Sequence, residues 1–442
     1  MKINVKTLVF FFLLLLAIYQ DFPLVNVFGE IARSPIIFLT PLMLLYLLML
    51  QKITISSYAK YFIYYILYLI LITLLYLVIV FCINGSFLVL GENILIKSVK
   101  LLVYPISALI FYQFTYTYLS KGKNTFNSLF NAIFCIQIIL AIYLFFEVIY
   151  LKTNTVFLSF LHSDSLKYYR VRLFTYEESW IGTILTFFVF TPIFLVNYLE
   201  KAKAIKQKVY IVSAFLFLFY TFFSESKGYL LLLIVAVLPI TISYMFKDKK
   251  WNKIVFVAIP ILMIGVAFVV FLLHKNISTQ LHSSITFGTR LTSYLASLEV
   301  FISHPFGIGW GGFLYYYPEA IRDIINTSWM STFNLEEIKG YLTATKALST
   351  KTEFFDNLVY GGFVYLFFYY NFFVKRYLFF KKVNNSNVFF LQVPLLFCLL
   401  AGLIYITFYI KYEVWFLLAF LDVLQCRVGD KISKSDENIN CF

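Results

Sequence analysis

The sequence predicts an all-α polytopic integral membrane protein, and three observations carry that prediction. Its 442 residues are 61% hydrophobic and only 13% charged, with a mean hydropathy of +0.84, whereas a soluble domain is about 25% charged. Apolar runs near the roughly 20 residues that a spanning helix needs recur along the chain, about twelve in all. Lysine and arginine gather in every second connection between those runs, which is the pattern of cytoplasmic loops.

In chain order the runs fall at about residues 5–20, 35–51, 61–83, 96–118, 127–151, 180–199, 209–224, 228–246, 254–273, 357–374, 387–409 and 412–425. The first follows MKINVK, and IYQDFP after it offers no small-residue cleavage site, so it reads as a retained span and not as a signal peptide. With the N-terminus inside, the inner set comprises Lys2, Lys6, Lys52, Lys60, Lys121, Lys123, the lysines of EKAKAIKQK and KDKKWNK, Lys375, Arg376, Lys381, Lys382, Arg427, Lys431 and Lys434. That is more than half of the 36 basic residues. Both termini therefore read as cytoplasmic, with a polar tail over 427–442. The net charge of +14 reads as topology; lysines spread over alternate loops do not make a nucleic-acid surface. Cys82, Cys135, Cys398, Cys426 and Cys441 fall in spans or on the inner side, so neither a disulfide framework nor a cysteine zinc site is expected.

Two outer segments are long, about 152–179 and 274–356, and loops of that length on a rigid scaffold usually carry function. The first holds YYRVRLFTYEESW. Arg170 and Arg172 stand beside Tyr168 and Tyr169 and lead to Glu177, Glu178 and Ser179. Arginine forks suit phosphate and aromatic rings suit sugars; the same residues would also anchor a helix end among headgroups. The turn FFSESKGY puts Lys227 at the outer surface, either as a phosphate-holding cation or as part of an ordinary turn broken by Gly228.

In the long loop Arg290 opens RLTSYLASLEVFIS, whose Leu291, Tyr294, Leu295, Leu298, Phe301 and Ile302 recur at threes and fours, the apolar face of an amphipathic helix. A cation at a helix start opposes the macrodipole, which points to an anionic partner; simple solvation is the other reading. His304 and Pro305 end that helix. HPFGIGWGG then shows the GxGxxG spacing, but a helix and not a strand precedes it, so the dinucleotide-binding reading fails. Gly307 and Gly309 read instead as a tight turn able to approach a ligand. The loop closes with STKTEFFDNLVYGGF, where Lys351, Glu353 and Asp356 supply either a general base or interfacial charge. HExxH, DxD-like and GxSxG patterns are missing from the loops, so no metal, cofactor or hydrolytic triad is expected.

Taken together, these segments resemble the O-antigen polymerase (Wzy-type) and O-antigen ligase superfamily of polytopic glycan-assembly enzymes. RLTSYLASLEVFISHPFGIGWGGF is similar to the family's run of arginine, amphipathic helix, His-Pro, apolar residue and Gly-x-Gly. YEESW resembles its Glu-x-Ser-Trp segment, SESKGY its small-polar, basic, glycine turn, and the long loop before the last spans its layout. Family ligases carry a His-Asn pair before the helix that follows this loop; TKTEFFD, Thr350 to Asp356, has no histidine, which favours a polymerase.

The resemblance implies a GT-C-like architecture and a metal-independent glycosyltransferase in a bacterial inner membrane. It would move glycan from a polyprenyl-diphosphate donor to a sugar hydroxyl of a lipid-linked repeat unit at the outer face, building O-antigen or capsule. Membrane lipids and a chain-length regulator protein are the further partners implied, with no nucleic acid. Arg170, Arg172, Lys227 and Arg290 would hold the diphosphate. Glu177 is the first choice of base, Glu353 or Asp356 the second and His304 the third. An O-antigen ligase, a lipid-linked oligosaccharide flippase and a non-catalytic scaffold are the alternatives. Glu147, Lys411 and Glu413 fall near span ends and not at mid-membrane, which argues against transport.

Overall fold

The computed structural model describes residues 4–51, 54–122, 124–153, 155–164, 170–224, 226–247, 282–343, 348–383 and 386–433. These residues are overwhelmingly helical; strand structure among them is a small antiparallel hairpin, Leu88–Val89 against Glu92–Asn93. The helices are α1 (Val5–Ile18), α2 (Val25–Phe28), α3 (Ile36–Leu48), α4 (Ser57–Asn84), α5 (Ile94–Ser120), α6 (Thr125–Lys152), α7 (Ile181–Tyr198), α8 (Lys203–Phe223) and α9 (Lys227–Lys247). After them come α10 (Ile285–Ser303), α11 (Gly309–Ile325), α12 (Glu336–Thr343), α13 (Glu353–Tyr369), α14 (Lys375–Lys382), α15 (Phe389–Ile404) and α16 (Tyr412–Ser433).

Five segments are long and apolar enough to cross a membrane: α4, α5, α6, the stretch Glu178–Tyr198 that contains α7, and α8. The helices α1, α3, α15 and the Gly228–Tyr244 part of α9 are shorter and equally apolar. The all-α polytopic membrane architecture expected from composition is what forms. Leu67, Leu71, Leu74 and Val78 lie on the outside of α4, each more than half exposed; such a surface is stable in lipid and a liability in water. α7 is enclosed by neighbours, with almost every residue from Ile181 to Val196 buried.

Two boundaries differ from expectation. The run at 387–409 stops being helical at Ile404, and 405–411 form a turn that returns to α16. α16 runs to Ser433, beyond the start of the expected tail. The run at 254–273 lies outside the described residues.

Side-chain contacts sort the connections onto two ends of the bundle. At one end Lys6 donates to the Lys121 carbonyl, Lys201 to Asn127, Arg427 to the Leu119 carbonyl, and Tyr58 to Gln425. Arg376 and Asp422 form a buried pair there, 2.6 Å apart. At the other end Gln20 meets Glu413, Asp21 meets His162 and Arg172, Tyr294 donates to the Ile404 carbonyl, and Phe408 donates its backbone N–H to Glu353. The segments that carry Lys6, Lys121, Lys201 and Arg427 thus share one end, and the described parts of the two long loops share the other.

The long loop does not stand off the bundle. α11 packs along α4, where Gly309 and Gly311 approach the α4 backbone so closely that a Cβ on either would come within 2.6 Å of Thr73. α13 is broken at Gly362, whose φ of +53° a side chain would resist. The HPFGI turn fills that break. Phe363 donates to the Pro305 carbonyl at 2.9 Å, and Ile308 donates to the Val359 carbonyl at 3.0 Å, so backbone groups freed by the break are satisfied.

Candidate functional site: a charged cavity at the loop end

At the loop end a cavity of about 440 Å³ opens among segments far apart in sequence: Glu30 and Arg33; Tyr104 of α5; Glu177 and Trp180; Thr286, Thr289 and Arg290 of α10; Glu337, Tyr341, Ser349 and Lys351; and Tyr405, Thr407, Tyr409 and Ile410.

Arg290 lies in the second turn of α10, not at its start, because the helix begins at Ile285 with Ser284 as its cap. The macrodipole argument for an anionic partner therefore loses its premise. The buried face of α10 is also not the apolar one. Thr289, Thr292, Ser293, Ala296 and Ser297 are buried, while Leu298 and Ile302 point outward, Ile302 at 77% exposure. Small residues let α10 pack closely on α11, and Thr292, Ser293 and Ser297 return their hydroxyl protons to carbonyls four residues back. One turn beyond Arg290, Tyr294 stacks on Phe355 and donates to the Ile404 carbonyl. That bond sets the guanidinium 5.7 Å over the ring of Tyr405.

Lys351 has a φ of +64°, a conformation a lysine adopts only where its surroundings impose it. They do so through a pinch. Thr352 caps α13 by accepting from Phe355 N–H at 3.1 Å, and Asp356 reaches back to Thr350 N–H at 2.8 Å. The strained turn places the ammonium 4.7 Å over the Tyr341 ring. Tyr341 in turn donates to Glu337, which also accepts from Thr289 at 3.0 Å.

The charges lining the cavity divide cleanly. Glu30 takes both Nε and Nη2 of Arg33, at 2.6 and 2.5 Å, with Asp21 at 3.9 Å and the Tyr176 ring 3.7 Å beneath the guanidinium. Burial alone would lower the Arg33 pKa, and Glu30 holds it above the usual value. Glu337 is occupied by two hydroxyls. Arg290, Lys351 and Glu177 remain, and among the described residues none of these three forms an ion pair. Glu177 is exposed on the turn that begins at Thr175, with Ser179 Oγ at 3.5 Å from its carboxylate.

Beneath this floor lies Lys411. Its Nζ donates to Gln20 at 2.5 Å and to the Trp180 carbonyl at 3.1 Å, and Gln20 and Thr183 both donate to Glu413. Burial pulls the Lys411 ammonium down to about 7, against the opposing pull of Glu413 and Glu177. The network fixes the Trp180 backbone and hence the turn that carries Glu177.

Of the residues singled out by sequence, the structure brings Glu177, Arg290 and Lys351 into the cavity. It places Arg172 elsewhere. That side chain is 2% exposed and paired with Asp21, while its backbone N–H donates to Glu147 at 2.8 Å. Arg170 points to the surface, 3.5 Å from Glu178. Glu353 is buried beside the floor, accepting from Phe408 N–H at 2.7 Å and from Asn357 at 2.9 Å; Asp356 is consumed by the pinch at Thr350. His304 bonds Tyr76 at 3.0 Å and lies against Tyr316, on the α4 and α11 side, and burial lowers its pKa. Gly307 and Gly309 meet α13 and α4 and no cavity. Lys227 opens α9, but its side chain lies outside the described residues.

Sequence reasoning did not include Arg33, Glu337, Tyr341 or the turn 405–411 in the site. Arg33 and Glu30 sit three apart between two apolar runs, a weak cue. The turn was hidden because ITFYI reads as the end of a span. No metal-binding group of His, Cys, Asp or Glu occurs among the described residues.

A family model described as O-antigen ligase matches residues 212–335. The match supports the O-antigen ligase/polymerase superfamily, whose members are glycosyltransferase-like enzymes, and leaves polymerase and ligase equal. It takes in Arg290, His304 and the glycine turn; Glu177, Lys351 and Arg33 lie outside it. No curated protein matches the chain.

Proposed function

We propose that this protein is a membrane glycosyltransferase that moves a glycan from a polyprenyl-diphosphate donor to a sugar hydroxyl, and that it acts as a repeat-unit polymerase. One observation carries the reading: among the described residues two cations that line the cavity, Arg290 and Lys351, form no ion pair, and the exposed carboxylate of Glu177 lines it with them, while the Glu337 carboxylate is held by two hydroxyls. That is the set the chemistry requires. The acceptor oxygen attacks the donor's anomeric carbon, the bond from that carbon to the diphosphate oxygen breaks, and its electron pair leaves on the lipid diphosphate. Arg290 and Lys351 stabilise that charge in a site partly shielded from water. Glu177 takes the hydroxyl proton. The site lies at the end opposite the lysine-rich turns, which supports transfer at the outer face of a cytoplasmic membrane.

A ligase is the second reading, favoured by the description of the matching family. Against it stands Lys351, which occupies the cavity wall in the stretch where family ligases carry histidine. Polymer ladders separate the two. Cells lacking the protein are complemented with wild type, Arg290→Ala or Glu177→Gln, with expression checked. A polymerase restores a ladder with wild type, and the variants leave single repeat units. If the ladder forms without the protein and only its transfer to the final carrier is lost, the protein is a ligase. Repeat units trapped on the inner face would instead make it a transporter.

A further inference from the structure

The cavity has two chemically different ends. Arg290 and Lys351 occupy one, resting on Tyr405 and Tyr341. The other is built from Glu30, Arg33, Tyr104 and Tyr409. Tyr104 stacks on Tyr409 with centroids 5.3 Å apart, and the charges acting on Tyr104 are those of Glu30 and Arg33. Glu177 lines the cavity directly after Tyr176, whose ring lies 3.7 Å from the Arg33 guanidinium.

Building on the transferase reading, we propose that the Glu30–Tyr104 end is a carbohydrate subsite for the terminal sugar of the acceptor, and that it takes an uncharged sugar. Arg33 adds no net attraction for an anion, because the Glu30 carboxylate takes both its Nε and its Nη2 and matches its charge. The Glu30 carboxylate is itself 71% exposed, so a diphosphate or an acidic sugar arriving here meets repulsion. Pairing with Arg33 fixes the Glu30 oxygens, which keep lone pairs for sugar hydroxyls. Tyr409, half-buried and braced by the buried Tyr104 stacked on it, supplies a ring for the apolar face of a pyranose. Glu177 is thereby tied through Tyr176 to the sugar platform, so an acceptor seated there brings its hydroxyl to that carboxylate while the cations hold the leaving group.

The test uses the full-length protein in lipid nanodiscs. Saturation-transfer NMR reads binding of the methyl glycosides of glucose, galactose, N-acetylglucosamine and glucuronic acid, and native mass spectrometry of the same samples reads undecaprenyl diphosphate. At least one neutral glycoside is expected to bind about three- to fivefold better than the glucuronide, the scale of one exposed charge. Glu30→Gln, a change at an exposed side chain, should bring the two toward parity. Tyr104→Ala should abolish the neutral signal while diphosphate binding persists, and Arg290→Ala should do the reverse. Saturating undecaprenyl diphosphate should leave the glycoside signal in place; displacement would assign the signal to the donor's sugar and overturn the acceptor assignment. A glucuronide that binds as well as the neutral glycosides, or no glycoside signal beside normal diphosphate binding, would overturn the subsite alone. Failure of wild type to bind undecaprenyl diphosphate would remove the transferase reading beneath it.

Discussion

Among the described residues Arg290 and Lys351 rest on aromatic rings and form no ion pair, and this arrangement makes them available to a ligand. Their substitutions should therefore not behave alike. Arg290→Lys keeps the charge but loses the planar fork, so it should retain part of the transfer rate that Arg290→Ala loses; the alanine variant is expected to fall by about 10²–10³-fold. Comparison of initial rates on one lipid-linked substrate checks this, and equal rates for lysine and alanine would mean that the charge without the fork contributes nothing. Glu177→Gln should cost about 10²–10⁴-fold in rate with diphosphate affinity unchanged. Sequence reading reached Glu177 and Arg290 because each sits beside a recognisable local pattern. It could not separate Arg172 from them, since the same arginine becomes a binding group or a buried strut according to whether Asp21, some 150 residues away, lies beneath it. Lys351 was visible in the sequence, but its distinction, a left-handed backbone, arises only from the pinch between Thr350 and Asp356.

At the level of elements, apolar periodicity located the helices well and misjudged which face some of them bury. α10 is the clearest case. Its small hydroxyl face packs on α11, Leu291, Leu295 and Phe301 are half-buried, and Leu298 and Ile302 face outward, an exposure that lipid does not penalise. The glycine run was legible as a turn, and its use was not. It seals the break in α13 and packs against α4. Gly362→Ala should therefore be a folding variant. It forces φ > 0 on alanine at roughly 1–2 kcal/mol and drives a Cβ into the Pro305 carbonyl. The yield of monodisperse protein on size-exclusion chromatography should drop well below that of a Gly340→Ala control, where a Cβ meets nothing within 4 Å. Equal yields would show that the turn and the broken helix are not locked together.

For the whole molecule, composition and the alternation of lysine-bearing loops were enough to give the class of fold and to anticipate that the two long loops share one end. What composition could not give was the depth of that end: the turn 405–411 and α5 contribute cavity walls from stretches that read as spans. The opposite end is held by Arg376 and Asp422, both buried, with Tyr112 and Ser56 completing the shell. Removing one member of such a pair leaves a buried charge unmatched, at about 3–5 kcal/mol. Asp422→Ala should lower the unfolding temperature in nanodiscs sharply and leave undecaprenyl diphosphate affinity intact at low temperature, because the two ends share no charged group. The central claim, that the loop-end cavity performs transfer with release of a lipid diphosphate, is tested most directly by measuring that release. Lipid-linked repeat units are extracted from cells lacking the protein and supplied to wild type, Glu177→Gln and the double variant Arg290→Ala/Lys351→Ala in liposomes, and free polyprenyl diphosphate is followed by mass spectrometry. Wild type should release one lipid diphosphate for each new glycosidic bond, with both variants at least about 10²-fold slower. Release at wild-type rate by both variants would contradict the account.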